Sequence, residues 1–286
     1  MPHRTFTTNK TAIIGTGLLG GSLGLAIRGI CPDAEVVGVN RSEAGRRAAR
    51  RAGCVTATSS SIATAVAGAD LVVLATPVGA FETIFHSLVG KLAEGALVTD
   101  VGSTKRDVVR LGESILGRGG PFVGSHPMAG KERKGAAFAE ADLLVGAPCL
   151  LTPTSHTPKA LLNRAKTLWQ AVGMRPMEFP PAEHDRVVAR ISHLPHIISS
   201  LLMALPRDED LPASSSGFRD MTRLAGGDPE MWRDIMLTNR DAILNTIDRF
   251  DTQLAKLRTV IEAGQPKPIE QFLAKEQQRR RTLPDG

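Results

Sequence analysis

Thr11-Ala12-Ile13-Ile14-Gly15-Thr16-Gly17-Leu18-Leu19-Gly20-Gly21-Ser22 is the stretch whose reading decides the fold. The short run ending in two isoleucines reads as a buried strand, and the Gly-x-Gly-x-x-Gly after it opens a helix through Leu23-Gly24-Leu25-Ala26-Ile27-Arg28. Gly15 makes the turn, Gly17 lets backbone N–H groups approach a pyrophosphate, and Gly20 allows close helix–strand contact. The helix N-terminus adds the partial positive charge that holds phosphates. Glycine also fills ordinary turns, but a strand before and a helix after favour a dinucleotide site. Gly15, Gly17, Leu18, Leu19 and Gly20 are therefore candidate contacts to NAD or NADP.

Strands alternate with helical stretches outward from this point. Val36-Val37-Gly38-Val39, Leu71-Val72-Val73-Leu74, Ala96-Leu97-Val98-Thr99 and Phe122-Val123-Gly124 are short apolar runs. Such runs, buried on both faces, belong to an α/β fold with a Rossmann-type, doubly wound parallel sheet. Cys149-Leu150-Leu151-Thr152 and Met177-Glu178-Phe179 read as later strands at its edge, after which Pro180-Pro181 punctuates the chain. The expected organisation is a dinucleotide-binding domain over 1–180 and an all-helical substrate and dimerisation domain over 181–286.

The 286 residues suffice for a sizeable core. No apolar run approaches a membrane span, and the first five residues carry no apolar leader. Cys31, Cys54 and Cys149 are far apart and odd in number, with no metal or redox spacing, so a reducing cytoplasm with free thiols is expected. The net charge of +6 includes Arg46, Arg47, Arg50 and Arg51 and the tail Arg279, Arg280 and Arg281. No aromatics interleave with the tail, so it reads as a solvated end rather than a nucleic-acid patch. A small anionic substrate and a phosphorylated cofactor suit the charge better.

In the second half, one helix is expected from near Ala182 past Ser200, kinked because Pro195 frees the carbonyl of Ile191. His193 and His196, three apart, share a face at that kink. A second helix is expected from the Asp228-Pro229 cap to Gly264, about 50 Å long at 1.5 Å per residue. Its stripe of Trp232, Ile235, Met236, Ile243, Ile247, Phe250, Leu254, Leu257 and Ile261 needs a large partner surface, and a homodimer interface is the expected one.

Ligands of open parallel sheets bind beyond the carboxyl ends of the strands. Ala75-Thr76-Pro77, Asp100-Val101-Gly102-Ser103-Thr104-Lys105 and Gly124-Ser125-His126-Pro127-Met128-Ala129-Gly130 all fall there. Thr76, Pro77 and Ser103 are candidate cofactor contacts. His126, expected just after its strand, is the natural base for a hydroxyl proton. Ser103 is placed either beside that reaction or as the N-cap of a helix from Thr104, or both.

These segments occur in order with Ser192-His193-Leu194-Pro195-His196, Gly217-Phe218-Arg219-Asp220-Met221-Thr222-Arg223, Asp228-Pro229-Glu230-Met231-Trp232 and Asn239. From about Thr11 to Ile261 the chain resembles the prephenate and arogenate dehydrogenases of tyrosine biosynthesis. The resemblance implies oxidative decarboxylation of a cyclohexadienol dicarboxylate: hydride leaves C4 for the nicotinamide, the hydroxyl proton goes to a base, and the ring carboxylate departs as carbon dioxide. It implies His126 as base, Ser103 beside it, His193 in the same pocket, His196 lining it and Arg223 on a substrate carboxylate. Arg219 is the lesser arginine, since Asp220 offers it an ion pair. Lys131 stands where the family often has a small polar residue, either touching a carboxylate or solvated. No regulatory or mutase domain is expected beside these two.

Two other classes fit the sequence less well. Hydroxy-acid dehydrogenases of the 6-phosphogluconate type use a lysine in the first long helix of the second domain, and none occurs from Ala182 to Ala255. A redox sensor would need the glycine turn but not Ser103, His126, His193 and Arg223 together. For the cofactor, Asn40-Arg41-Ser42 follows the second strand where NAD enzymes usually carry Asp or Glu. Uncharged Asn40, Arg41 as a phosphate partner and Ser42 as a donor favour NADP over NAD, with Arg46 adding to the field. The other reading leaves Arg41 merely exposed and Asn40 serving the ribose of NAD.

Overall fold

The structure, a computed structural model, describes residues 6–131 and 133–283. The first five residues, on which the expectation of no apolar leader rested, lie outside it. In chain order, β1 (Lys10–Ile14), α1 (Leu18–Ile30), β2 (Glu35–Val39), α2 (Glu43–Arg51), β3 (Ala57–Ser59), α3 (Ile62–Val66) and β4 (Leu71–Leu74) come first. Then follow α4 (Phe81–Leu88), β5 (Leu97–Asp100), α5 (Arg106–Leu116), β6 (Phe122–Pro127), β7 (Pro148–Thr152), α6 (Lys159–Ala171) and β8 (Arg175–Glu178). The rest is helical: α7 (Pro181–Val188), α8 (Leu194–Met203), α9 (Ser216–Thr222), α10 (Pro229–Thr238), α11 (Arg240–Glu262) and α12 (Pro266–Arg280).

The eight strands form one sheet in the order β3-β2-β1-β4-β5-β6-β7-β8. The first six strands are parallel and reverse direction of travel at β1, which puts a switch point between β1 and β4. Alternation along β1 feeds both faces. Ile13 packs with Leu23, Ile27 and Trp169, while Ala12 and Ile14 pack with Phe81, Phe85 and Val98. Trp169 is fully buried, and its indole N–H donates to Ser125 Oγ at 3.0 Å.

Three elements differ from the sequence reading. β6 pairs antiparallel with β7, so the parallel order stops there. β3, only three residues long and half-buried, carries no strong apolar run and was not foreseen. The single helix over 228–264 is two helices, because Asn239 leaves helical geometry with φ −116° and ψ 26° between α10 and α11. The tail expected as a solvated end is exposed as expected and forms α12, with Arg279 and Arg280 in its last turn and none of its residues buried.

Other local expectations hold. Asp228 caps α10 by accepting the Glu230 N–H, with Pro229 next. Between α7 and α8, Ala189–His193 forms a π-helical turn just before Pro195, the strain relief expected where a proline removes an N–H donor. Among the described residues, no helix is long and apolar enough to cross a membrane.

Candidate active site

Three loops meet beyond the carboxyl ends of β1, β4 and β5. Gly15 has φ +102°, and a Cβ there would lie 2.5 Å from the Ala75 carbonyl oxygen. One at Gly20 would lie 2.0 Å from the Gly15 oxygen, so both glycines are demanded by backbone contact. Gly17 differs: nothing lies within 4 Å of its Cβ position, and no side chain caps α1 there. Nearby in the β4 loop, Thr76 Oγ1 is buried without a partner among the described residues. An open cradle over bare helix N–H groups, with an orphaned hydroxyl beside it, fits a dinucleotide diphosphate.

The turn after β2 uses most of its polar atoms on itself. Asn40 Nδ2 donates to Thr16 Oγ1 at 3.3 Å, and Asn40 Oδ1 accepts from Ser42 N at 3.1 Å and Ser42 Oγ at 3.2 Å. Ser42 Oγ also caps α2 by accepting the Gly45 N–H. Arg46 is drawn inward, donating to the carbonyls of Asn40 and Arg41 at 2.8 and 2.9 Å. Arg41 is exposed.

Beyond β5, Asp100 organises the loop carrying Ser103. Its Oδ2 accepts the Gly102 N–H at 2.8 Å and Lys105 Nζ at 2.6 Å, and its Oδ1 accepts the Ser125 N–H at 2.9 Å. Both side chains of this ion pair are wholly buried, a state sustained only with such full hydrogen bonding. The Asp100–Ser125 bond ties the loop to the strand bearing His126. Ser103 itself is half-buried in the loop and is not an N-cap, because α5 begins at Arg106.

Asp185, one turn into α7, supplies that cap instead. Its carboxylate accepts the backbone N–H groups of Lys105 at 2.8 Å and Arg106 at 2.9 Å. Oδ1 also meets His184 Nδ1 at 2.8 Å, and His184 Nε2 meets His126 Nδ1 at 2.9 Å. This chain fixes the tautomers. Asp185 is a pure acceptor, so His184 Nδ1 donates; neutral His184 then accepts on Nε2, and His126 Nδ1 donates to it. His126 thus keeps the lone pair on Nε2. It lies within β6, opposite Leu150 of β7, rather than in the loop after the strand.

The surroundings keep these imidazoles neutral. Burial, then the neighbouring His184, Lys105 and His193, push His126 well below the usual histidine value. Burial also lowers His184, partly offset by Asp185. Asp185 is raised by burial, but hydrogen bonds from His184 and the Arg106 and Lys105 N–H groups hold it below the usual carboxylate value.

Asn239, at the break between α10 and α11, joins the second cluster to the first. Its Nδ2 donates to the Asp185 carbonyl at 2.9 Å and lies 3.1 Å from His193 Nδ1. His193 therefore carries its proton on Nε2, which is buried and without a partner among the described residues. Burial lowers its pKa to about 4. Trp232 stacks on His196 at 3.5 Å and meets His193 edge-on at 5.9 Å. Burial lowers the pKa of His196, and the backbone of Leu224, the residue after Arg223, opposes that lowering. His196, Ser200, Ala225, Gly227, Trp232 and Met236 line a cavity of about 440 Å³.

Ser103, His126, His193 and His196 are thus gathered by the loops and helices around Asp185, while Arg223 is exposed at the start of the turn after α9. Lys131 and Arg219 are not part of that cluster. Lys131 is exposed and pairs with Glu140, which draws it towards α1. Arg219 is exposed on α9, and among the described residues no ion pair joins it to Asp220. The sequence reading missed His184, Asp185 and the tie made by Asn239. A His-Asp pair in the first turn after Pro180-Pro181 is the signal that could have found two of them.

Known proteins resemble this chain along most of its length. The family description "prephenate dehydrogenase, nucleotide-binding domain" matches residues 23–178, and "prephenate dehydrogenase, dimerization domain" matches 180–275. A prephenate dehydrogenase of Bacillus subtilis is 37% identical over 257 residues, covering 87% of this chain and 69% of that protein. A cyclohexadienyl dehydrogenase of Zymomonas mobilis is 36% identical over 257 residues, covering 87% of each. Among solved structures, prephenate dehydrogenase from Aquifex aeolicus with hydroxyphenyl propionate and NAD+ superposes with a TM-score of 0.89 at 32% identity, covering 97% of this chain and 99% of that one. Synechocystis arogenate dehydrogenase gives 0.81 at 29% identity, covering 95% and 98%. The two family matches together cover most of the chain, and the chain belongs to the prephenate dehydrogenase family.

Proposed function

We propose that this chain oxidatively decarboxylates prephenate, arogenate or both, forming 4-hydroxyphenylpyruvate or tyrosine. The observation that carries this reading is His126, buried, neutral and held by His184 so that Nε2 retains its lone pair. A nicotinamide dinucleotide, held by the Gly15–Gly20 turn, Thr76, Pro77 and the β5 loop, supplies the hydride acceptor. His126 Nε2 accepts the proton of the substrate 4-hydroxyl, and Ser103 hydrogen-bonds the same group. The unpartnered His193 Nε2–H donates to the substrate, and Arg223 forks onto a carboxylate. His196, fixed by Trp232, walls the pocket.

For the cofactor we favour NADP, because uncharged Asn40 follows β2 where an NAD enzyme usually carries a carboxylate, and Arg41 stands exposed beside it. The NAD+ held by the Aquifex neighbour makes NAD the second reading. Ser42 contributes less than its residue type suggests, since its hydroxyl is committed to Asn40 and the α2 cap. We further assign the chain a homodimer through its second half and a cytoplasmic setting, consistent with free Cys31, Cys54 and Cys149. The test is turnover of prephenate, arogenate and 6-phosphogluconate with each cofactor. Turnover of at least one cyclohexadienol and none of 6-phosphogluconate is expected, and failure on both cyclohexadienols overturns the reading.

A further inference from the structure

His184 is a second buried imidazole that acid–base chemistry at His126 alone does not require. Full burial of an imidazole requires a partner at each ring nitrogen, and the two partners of His184 are both acid–base groups, with 2.9 Å to His126 Nδ1 on one side and 2.8 Å to Asp185 Oδ1 on the other. It is completely buried, as befits a group working through its neighbours rather than on a ligand. Asp185 is itself oriented by two backbone N–H groups from the α5 terminus, so its oxygen cannot swing away from His184.

We infer that His184 and Asp185 form a proton relay behind His126, so that the charge taken up during turnover comes to rest on His184 rather than on the base that touches substrate. The step balances as follows. The substrate O–H bond breaks, with its electron pair left on oxygen, and an N–H bond forms at His126 Nε2. The His126 Nδ1–H bond then breaks and a bond forms at His184 Nε2. His126 is neutral again with its tautomer reversed, and His184 is an imidazolium beside the Asp185 carboxylate. Reversal of the two transfers after product release, with Nε2 losing its proton to solvent, resets the chain.

The charges around the relay favour this direction. The Lys105 ammonium opposes a positive charge on His126, whereas Asp185 and Asp100 favour one on His184, with Lys105 opposing it there too. His184 and Asp185 are positioning residues here, since neither touches the reacting atoms. The inference rests on His126 being the base.

His184→Gln is the decisive variant, because the Gln amide can take the place of Nε2 and accept from His126 Nδ1 while being unable to take a proton. We expect kcat to fall by about 10- to 100-fold, with both KM values within about twofold and Tm retained. In Asp185→Asn, loss of the negative charge makes protonation harder, so the acid limb of the kcat/KM profile moves to lower pH by about one unit. A kcat in His184→Gln within about twofold of wild type overturns the relay, and so does an unmoved acid limb in folded Asp185→Asn. Should Asp185→Asn unfold through loss of the α5 cap, His184→Gln decides alone. His126→Asn separates the two readings: activity lost there but kept in His184→Gln defeats only the relay, whereas activity kept in His126→Asn defeats the base itself.

Discussion

Burial is the first cause of the low pKa of His126, and it has a kinetic consequence. A base protonated only well below pH 6.5 stays competent throughout the neutral range, so the acid limb of kcat/KM should lie below the value of a free imidazole. Replacing His126 with Asn should lower kcat by about 100- to 10,000-fold while cofactor affinity, measured by fluorescence titration, stays near wild type. Near-wild-type kcat at the optimum pH would remove His126 from its role. Arg223 works differently, through ground-state charge rather than proton transfer. Its charge-assisted contact is worth about 1.5–3 kcal/mol, so Arg223→Ala should raise KM for the cyclohexadienyl substrate about 10- to 150-fold and leave KM for the cofactor nearly unchanged. Equal increases in both constants would show that its role is in folding. Arg223 precedes Leu224, whose backbone bears on the pKa of His196, so Tm must be measured alongside.

At the scale of single elements, the glycine turn and the turn after β2 carry separable expectations. Gly17 has φ −79°, ordinary for any residue, and its Cβ would enter open space. Gly17→Ala should therefore leave Tm within a degree or so while weakening the cofactor at least about tenfold, as the new methyl takes the room a diphosphate needs. A variant binding cofactor normally would move the phosphates elsewhere. After β2, Arg41→Ala should collapse kcat/KM for NADP and spare NAD, and a wild-type preference for NAD unchanged by the substitution defeats the NADP assignment. The glycine turn, the central strands and the Asp228-Pro229 cap were legible because each rests on local chemistry: β-branching, glycine geometry, a side chain capping its own helix. Asn239 was not legible as a break, because the apolar stripe from Trp232 to Ile261 continues in phase across it. What bends the chain there is a tertiary demand, two hydrogen bonds towards Asp185 and His193. Ser103 was misjudged as a cap for the same reason, since Asp185, 80 residues further along from Lys105, does that work. The antiparallel entry of β7 follows from the long excursion between β6 and β7, which no periodicity records.

For the whole molecule, the distribution of burial along α11 argues for assembly. Its buried residues are Ile243 and Thr246, both in the first two turns. Further on, Phe250 is half-buried, and Leu254 and Ile261 are 53% and 57% exposed on the same stripe. The spacing 250, 254, 257, 261 keeps one apolar face pointing the same way for three turns, beyond what the chain itself covers. Such a face is seldom left in water, and it lies within residues 180–275, which match a family description that names a dimerization domain. In a twofold dimer each interface residue occurs twice. Burial of one such side chain contributes about 1.5–3 kcal/mol, so a charge at Phe250 should cost about twice that and raise the dimer Kd about 100-fold or more. Sedimentation of wild type and Phe250→Glu over a micromolar concentration series reads this directly. Wild type should sediment as a dimer throughout, and the variant should dissociate on dilution with its circular dichroism unchanged. A wild-type monomer at micromolar concentration rules out the assembly, while a dimer indifferent to charges at both Phe250 and Leu254 moves the interface off this stripe.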